Sequence, residues 1–136
     1  MIKEIEHNTV ILSQKSIEAT IMDLPIADDL RDTLNAHFDE CVGMAANMIG
    51  VLKRIIIFNN NGKLQVMFNP EIIKCRNPYE TQEGCLSLTG IRPTTRYKNI
   101  RVKYQDENFQ EQVFNYCNFT AQIIQHEIDH LDGILI

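Results

Sequence analysis

No stretch of this sequence approaches the ~20 apolar residues that a membrane-spanning helix needs. The opening Met1-Ile2-Lys3-Glu4-Ile5-Glu6 carries acids and no apolar run, unlike an export signal. Basic residues are not gathered into a stripe and the net charge is −5, so neither nucleic acid nor a membrane surface is expected as a partner. Internal repeats and low-complexity segments are also missing. The four cysteines, Cys41, Cys75, Cys85 and Cys117, have no regular spacing. Without an export signal they are expected as reduced thiols in a cytoplasmic protein rather than as disulfides. Each is then packing, ligand or nucleophile, and for Cys75 and Cys117 the expectation is a small core hydrophobe.

What is present is an ordinary globular composition, 44% hydrophobic and 23% charged, in 136 residues. That length supports one core and not two, so a single domain over 1–136 is expected. Ile26 to Glu40 reads as an amphipathic helix: Ile26, Leu30, Leu34 and Phe38 recur at i, i+4, and Asp28 and Asp29 suit a helix N-terminus. Phe38, Met44 and Met67 are expected in the core, and His7 and His37 on the solvated surface. Two β-rich runs, Arg54–Phe58 and Leu64–Phe68, flank Asn59-Asn60-Asn61-Gly62-Lys63, a hairpin turn by composition. A second pair, Ile100–Tyr104 and Glu111–Phe114, alternates around the polar turn Asp106-Glu107-Asn108. Phe119 to Leu131 reads as a helix with Ile123, Ile124, Ile128 and Leu131 on its apolar face, Asn118 as N-cap and Gly133 as its end. Strands first and a buried helix last predict an α+β fold: antiparallel β-sheets around a C-terminal helix, with an N-terminal helix.

The chemistry concentrates in Gln125-His126-Glu127-Ile128-Asp129-His130. Residues i and i+4 of a helix sit one above the other, so both imidazoles can address one ion. Glu127 then lies beside any water on that ion and can take its proton. Shuffling this composition produces the motif in roughly one chain in a hundred, and the bland alternative is a surface His-Glu pair. A catalytic site needs a third protein ligand and an open position. After His130 only Asp132 could ligate, so the third ligand is expected upstream, from a cysteine, His7, His37 or a carboxylate. Cys85 stands out, because the neighbouring Gly84 permits close approach of backbone to metal or substrate.

Glu83-Gly84-Cys85-Leu86-Ser87, taken with the run from Gln125 to Gly133, resembles the paired signature motifs of the peptide deformylase family. That family's third signature, Gly-x-Gly-x-Ala-Ala-x-Gln, has its counterpart in Cys41-Val42-Gly43-Met44-Ala45-Ala46-Asn47-Met48. The three stand in the family's order, and the resemblance runs from about Val10 to the C-terminus. It implies an enzyme that removes the formyl group from N-formylmethionyl peptides, acting on nascent chains near the ribosome. It implies one divalent metal ion on Cys85, His126 and His130: Fe(II) natively, with Zn(II), Ni(II) or Co(II) as substitutes, and a fourth position open to water. By the same resemblance Glu127 moves the water proton to the leaving amine, and the Leu86 N–H polarises the formyl oxygen. Val42, Gly43 and Gly84 are backbone partners of an extended substrate, with Ile123 near its methionine. Arg96 matches a family arginine and is expected to pair with Glu83.

Two positions depart from the pattern. Met48 stands where the family has the glutamine that donates to the oxyanion, and a thioether donates no hydrogen bond. Loss of one such donor lowers rates by ~10²–10³. Cys41 replaces the opening glycine. The alternatives to an active deformylase are therefore a weak or inactive paralogue that binds metal and peptide ends, and a structural metal domain whose fourth position is closed by Cys41 or Cys117.

Overall fold

In the computed structural model, which describes residues 1–136, the apolar run Ile55-Ile56-Ile57-Phe58 lies in a strand buried on both faces. Its side chains alternate between two hydrophobic clusters: Ile56 and Phe58 enter one, Ile55 and Ile57 the other. That strand is β2 (Ile55–Asn60), and it sits between β1 (Gly43–Ala45) and β3 (Lys63–Cys85). Beyond them lie β4 (Leu88–Gln105) and β5 (Glu111–Cys117), all antiparallel in the order β1-β2-β3-β4-β5. Helices α1 (Thr9–Leu12), α2 (Leu24–Ala36) and α3 (Asn118–Leu131) complete the fold, with short 3₁₀ turns at Ile21–Asp23 and Ala46–Ile49. Leu30 and Leu34 of α2 cover one side of β2, and Ile124, Ile128 and Leu131 of α3 cover the other. The α+β expectation holds, with one continuous ladder in place of separate sheets. No helix is long and apolar enough to cross a membrane.

The β2–β3 turn is the one its composition predicts. Asn60 pairs with Lys63, and Asn61 and Gly62 both adopt positive φ (53° and 92°), the two-residue hairpin for which Asn-Gly is suited. α3 ends as expected at Gly133 (φ 77°): its N–H donates to His130 O, and Ile134 N–H donates to Asp129 O, closing the helix in a Schellman arrangement. Any Cβ at Gly133 would lie 2.4 Å from Ser13 O. Gln125 locks α3 onto β4 by accepting from Tyr97 N at 2.9 Å and donating to Tyr97 O at 2.8 Å.

Several local expectations fail for identifiable reasons. α2 ends at Ala36, and His37 leaves the helix at φ −119°, ψ 20°. The i, i+4 series therefore breaks before Phe38, which is 72% exposed, not core. Asp28 and Asp29 lie past the first turn, since the helix begins at Leu24 with Pro25 in its opening positions. Asn118 caps nothing: it has φ 55°, and its amide contacts Cys117 Sγ at 3.7 Å. Cys75 and Cys117 are exposed, because β3 and β5 present solvated flanks there. Most consequential is the hairpin of β3 and β4, whose stretch from Asn69 to Asn99 carries no clean alternation. Residues 73–78 are exposed throughout, so neither face needs to be apolar.

Candidate metal centre

Backbone pairing delivers the thiol. Cys85 pairs with Leu88 across a two-residue turn of Leu86 and Ser87, so it terminates a 23-residue strand at the hairpin tip. The i, i+4 spacing delivers the imidazoles. The Nε2 atoms of His126 and His130 lie 3.0 Å apart, and Cys85 Sγ lies 3.3 Å from His130 Nε2. The three ligand atoms fall within 4.8 Å of one another. A tetrahedral ion with bonds to two imidazoles and a thiolate separates N from N by about 3.3 Å and N from S by about 3.6 Å. The donor set therefore fits a small divalent ion with little adjustment.

Behind His126 stands a buried ionic cluster. His126 Nδ1 lies 2.8 Å from Glu83 Oε1, which directs Nε2 toward the ligand cluster. Arg96 donates to Glu83 at 2.7–3.2 Å and to Asp129 Oδ2 at 2.6 Å. Gln122 Nε2 adds a bond of 2.9 Å to Glu83 Oε2. Burial opposes charge on Glu83, but the donors from His126, Arg96 and Gln122 outweigh it and hold the carboxyl down at about 2. The expected Arg96–Glu83 pair is present. The contact of Glu83 with His126 and the parts of Asp129 and Gln122 were not legible in sequence.

Without an ion the two imidazoles diverge. Burial disfavours charge on both, yet Cys85 and Glu83 raise His126 to about 10, while burial and the neighbouring His126 lower His130 to about 3. Glu127 differs from both. It is 4% exposed, its Oε1 has no partner, and burial raises its carboxyl to about 7. A group poised near neutrality can take and return a proton. Gly43 makes room for it, because a Cβ there would lie 2.7 Å from Ile123 Cγ2 and 2.9 Å from Glu127 Oε2.

A cleft of about 590 Å³ opens on this cluster, lined by Val42, Gly43, Met48, Gly84, Leu86 and Ile123 together with Cys85, His126 and Glu127. His130 lies behind, fully buried. The Val42 carbonyl accepts from Asn59 N at 2.8 Å and so belongs to the sheet. Strand alternation turns the Gly43 backbone to the open edge of β1, where its carbonyl accepts the Cys41 thiol at 2.7 Å. Met48 is buried, its Sδ 3.5 Å from Ala45 N. Burial pushes the Cys41 thiol up to about 12, and Cys117 is exposed. Neither cysteine belongs to the ligand group, which consists of Cys85, His126 and His130.

The family described as polypeptide deformylase matches residues 2–136. The chain belongs to the peptide deformylase family. A peptide deformylase of Clostridium beijerinckii is 55% identical over 138 residues, covering 100% of both chains. The class I type b peptide deformylase of Acinetobacter baumannii, crystallised with Met-Ala-Ser bound, superposes with a TM-score of 0.89 at 27% identity, over 99% of this chain and 97% of that one. The peptide deformylase of Thermotoga maritima superposes at 0.90 with 26% identity, over 99% and 95%. Deformylases are metal-dependent, in keeping with the Cys-His-His cluster.

Proposed function

We propose that the chain hydrolyses the formyl group of N-formylmethionyl peptides with one divalent ion held by Cys85, His126 and His130. The observation that carries this reading is a strand-end thiol and two imidazoles meeting beside a buried carboxylate with an unpartnered oxygen. Such an ion, when bound, supplies a Lewis acid that acidifies water and polarises a carbonyl. Glu127 takes the proton of the attacking water and delivers it to the leaving amine nitrogen, a role that its buried, unpartnered Oε1 leaves open. Leu86, in the turn after Cys85, offers its backbone N–H to the formyl oxygen. Met48 adds no donor there. The peptide lies extended between the Val42–Gly43 segment and Gly84, with its methionine against Ile123. The Met-Ala-Ser seated in the Acinetobacter relative supports a peptide occupant.

A thiolate with two imidazoles suits small divalent ions such as Fe(II), Zn(II), Ni(II) and Co(II), and the resemblance to the family implies Fe(II) as the resident one. Nascent chains in the cytoplasm are the substrates this reading implies, with neither nucleic acid nor membrane required. The single domain spans 1–136. Apart from Met48, no feature of the site favours an inactive paralogue. The test is anaerobic turnover of formyl-Met-Ala-Ser by Fe(II)- or Co(II)-loaded protein, with formate release expected at one ion per chain and lost in Cys85→Ala together with the metal. Full metal occupancy without formate release would replace this reading with a peptide-binding role.

A further inference from the structure

His126 and His130 are supported unequally. Both turn Nε2 toward the ligand cluster, so each carries its hydrogen on Nδ1 when an ion is bound. For His126 that hydrogen meets Glu83. His130 is fully buried and its Nδ1 has no partner within the protein. Buried donors are almost always paired, so an acceptor must lie close by.

Asn47 supplies one. It is fully buried, and its Nδ2 donates to His130 O at 2.9 Å. That bond anchors the amide at the turn of α3 that carries the His130 ring, and its other end, Oδ1, is also without a partner. A third orphan is anchored one residue on. Ser16 N donates to Leu131 O at 2.8 Å, and the buried Ser16 Oγ is unpartnered. A donor without an acceptor, an acceptor without a donor and a hydroxyl able to be either thus belong to residues tied to one another through the His130 and Leu131 carbonyls. One water bonded to all three would satisfy each, the usual occupancy of a buried polar site.

We infer that Asn47 is a positioning residue of the metal centre: its Oδ1 receives the Nδ1 proton of His130 through one buried water. This fixes the tautomer and ring plane of His130 as Glu83 fixes those of His126. The inference rests on the metal-ligand reading above. It gives a task to a position that the first sequence motif leaves unspecified.

The experiment uses the full chain loaded with Zn(II). Metal analysis of the parent comes first: less than one zinc per chain would overturn the ligand reading and this inference together. With zinc bound, histidine-labelled NMR should find the His130 proton on Nδ1 and slow to exchange with solvent. Asn47→Ala should shift that resonance, speed its exchange and raise the rate of zinc loss to a chelator by about 10–100-fold. Asn47→Asp, which keeps an acceptor but loses the donor to His130 O, should recover only part of the zinc retention. A role confined to pinning the 3₁₀ turn against α3 would lower the melting of zinc-free and zinc-loaded protein alike and leave the Nδ1 proton and zinc release unchanged, and that result overturns the inference. Should Asn47→Ala fail to fold, the parent spectrum still decides. A proton on Nε2, or an Nδ1 proton exchanging freely with solvent, refutes the assignment.

Discussion

Glu83 holds Arg96 and His126 as well as Gln122, and replacing it by alanine should separate its effect on the first from its effect on the second. Arg96 is 3% exposed and would keep only Asp129 as a charged partner. Removing one member of a buried ion pair destabilises by about 3–5 kcal/mol, and this loss should appear in the metal-free chain. His126 would lose the acceptor 2.8 Å from its Nδ1, which should weaken metal binding by about 10–100-fold. At saturating zinc that factor removes a further 1.4–2.7 kcal/mol or so of metal-linked stability. Glu83→Ala should therefore be more damaging to the zinc-loaded protein than to the zinc-free one. Glu83→Gln keeps an acceptor for His126 and the local shape, and should retain most of the zinc affinity while losing part of the Arg96 pairing. Urea unfolding with and without zinc, together with chelator competition, measures each part. A zinc-free Glu83→Ala within about 1 kcal/mol of the parent would refute the stability argument, and an unchanged zinc affinity would refute the role assigned to the His126 contact.

Glu127→Gln should bind metal normally and lose at least ~10²-fold in kcat, since an amide accepts no proton at neutral pH; activity within threefold of the parent would show another base at work. Met48→Gln should raise kcat/KM by about 10²-fold by restoring a side-chain donor to the formyl oxygen, and an unchanged rate at equal metal content would clear Met48 of any deficit. Gly43→Ala should lower both stability and turnover, because its Cβ meets Ile123 and Glu127 at 2.7 and 2.9 Å; a parent-like melting temperature and rate would show that β1 can retreat. In the metal-free protein Glu83 falls from 4.5 to about 2 on folding, so its stabilisation is full above about pH 4.5 and disappears as pH drops toward 2, by up to ~1.4 kcal/mol per unit. Glu83→Gln should flatten that part of the acid-unfolding profile.

The elements read correctly from sequence are those where burial imposes a pattern. β2 and the buried face of α3 announce themselves because every apolar residue there has a core to enter. The Asn61-Gly62 turn is legible because its backbone tolerates few alternatives. The β3–β4 hairpin is not legible, since Pro78 on β3 and Pro93 on β4 sit where each strand has only the other as neighbour and little is buried. Phe38 misled because a helical repeat says nothing about where the helix stops. At the site, the His pair is written in local spacing and Cys85 in its flanking residues. Asn47, Asp129 and Gln122 act across distances of 33 to 83 residues, and no local pattern encodes such contacts.

The width of the sheet varies along the long hairpin. From Pro78–Gln82, paired with Pro93–Tyr97, it is only two strands across, since β2 has ended and β5 does not begin pairing until Asn99. A ribbon that narrow is marginal on its own in water. Besides the His7 contact with Ser87 O at the tip, two fasteners tie its far end to α3: the Glu83–Arg96–Asp129 cluster and, through Cys85, whatever ion sits on α3. Breathing of this ribbon is then a gauge of occupancy, its amides trading hydrogen with solvent quickly when one fastener is open and slowly when both are shut. The amides of β2, deep between the two clusters, should keep the same pace in either state.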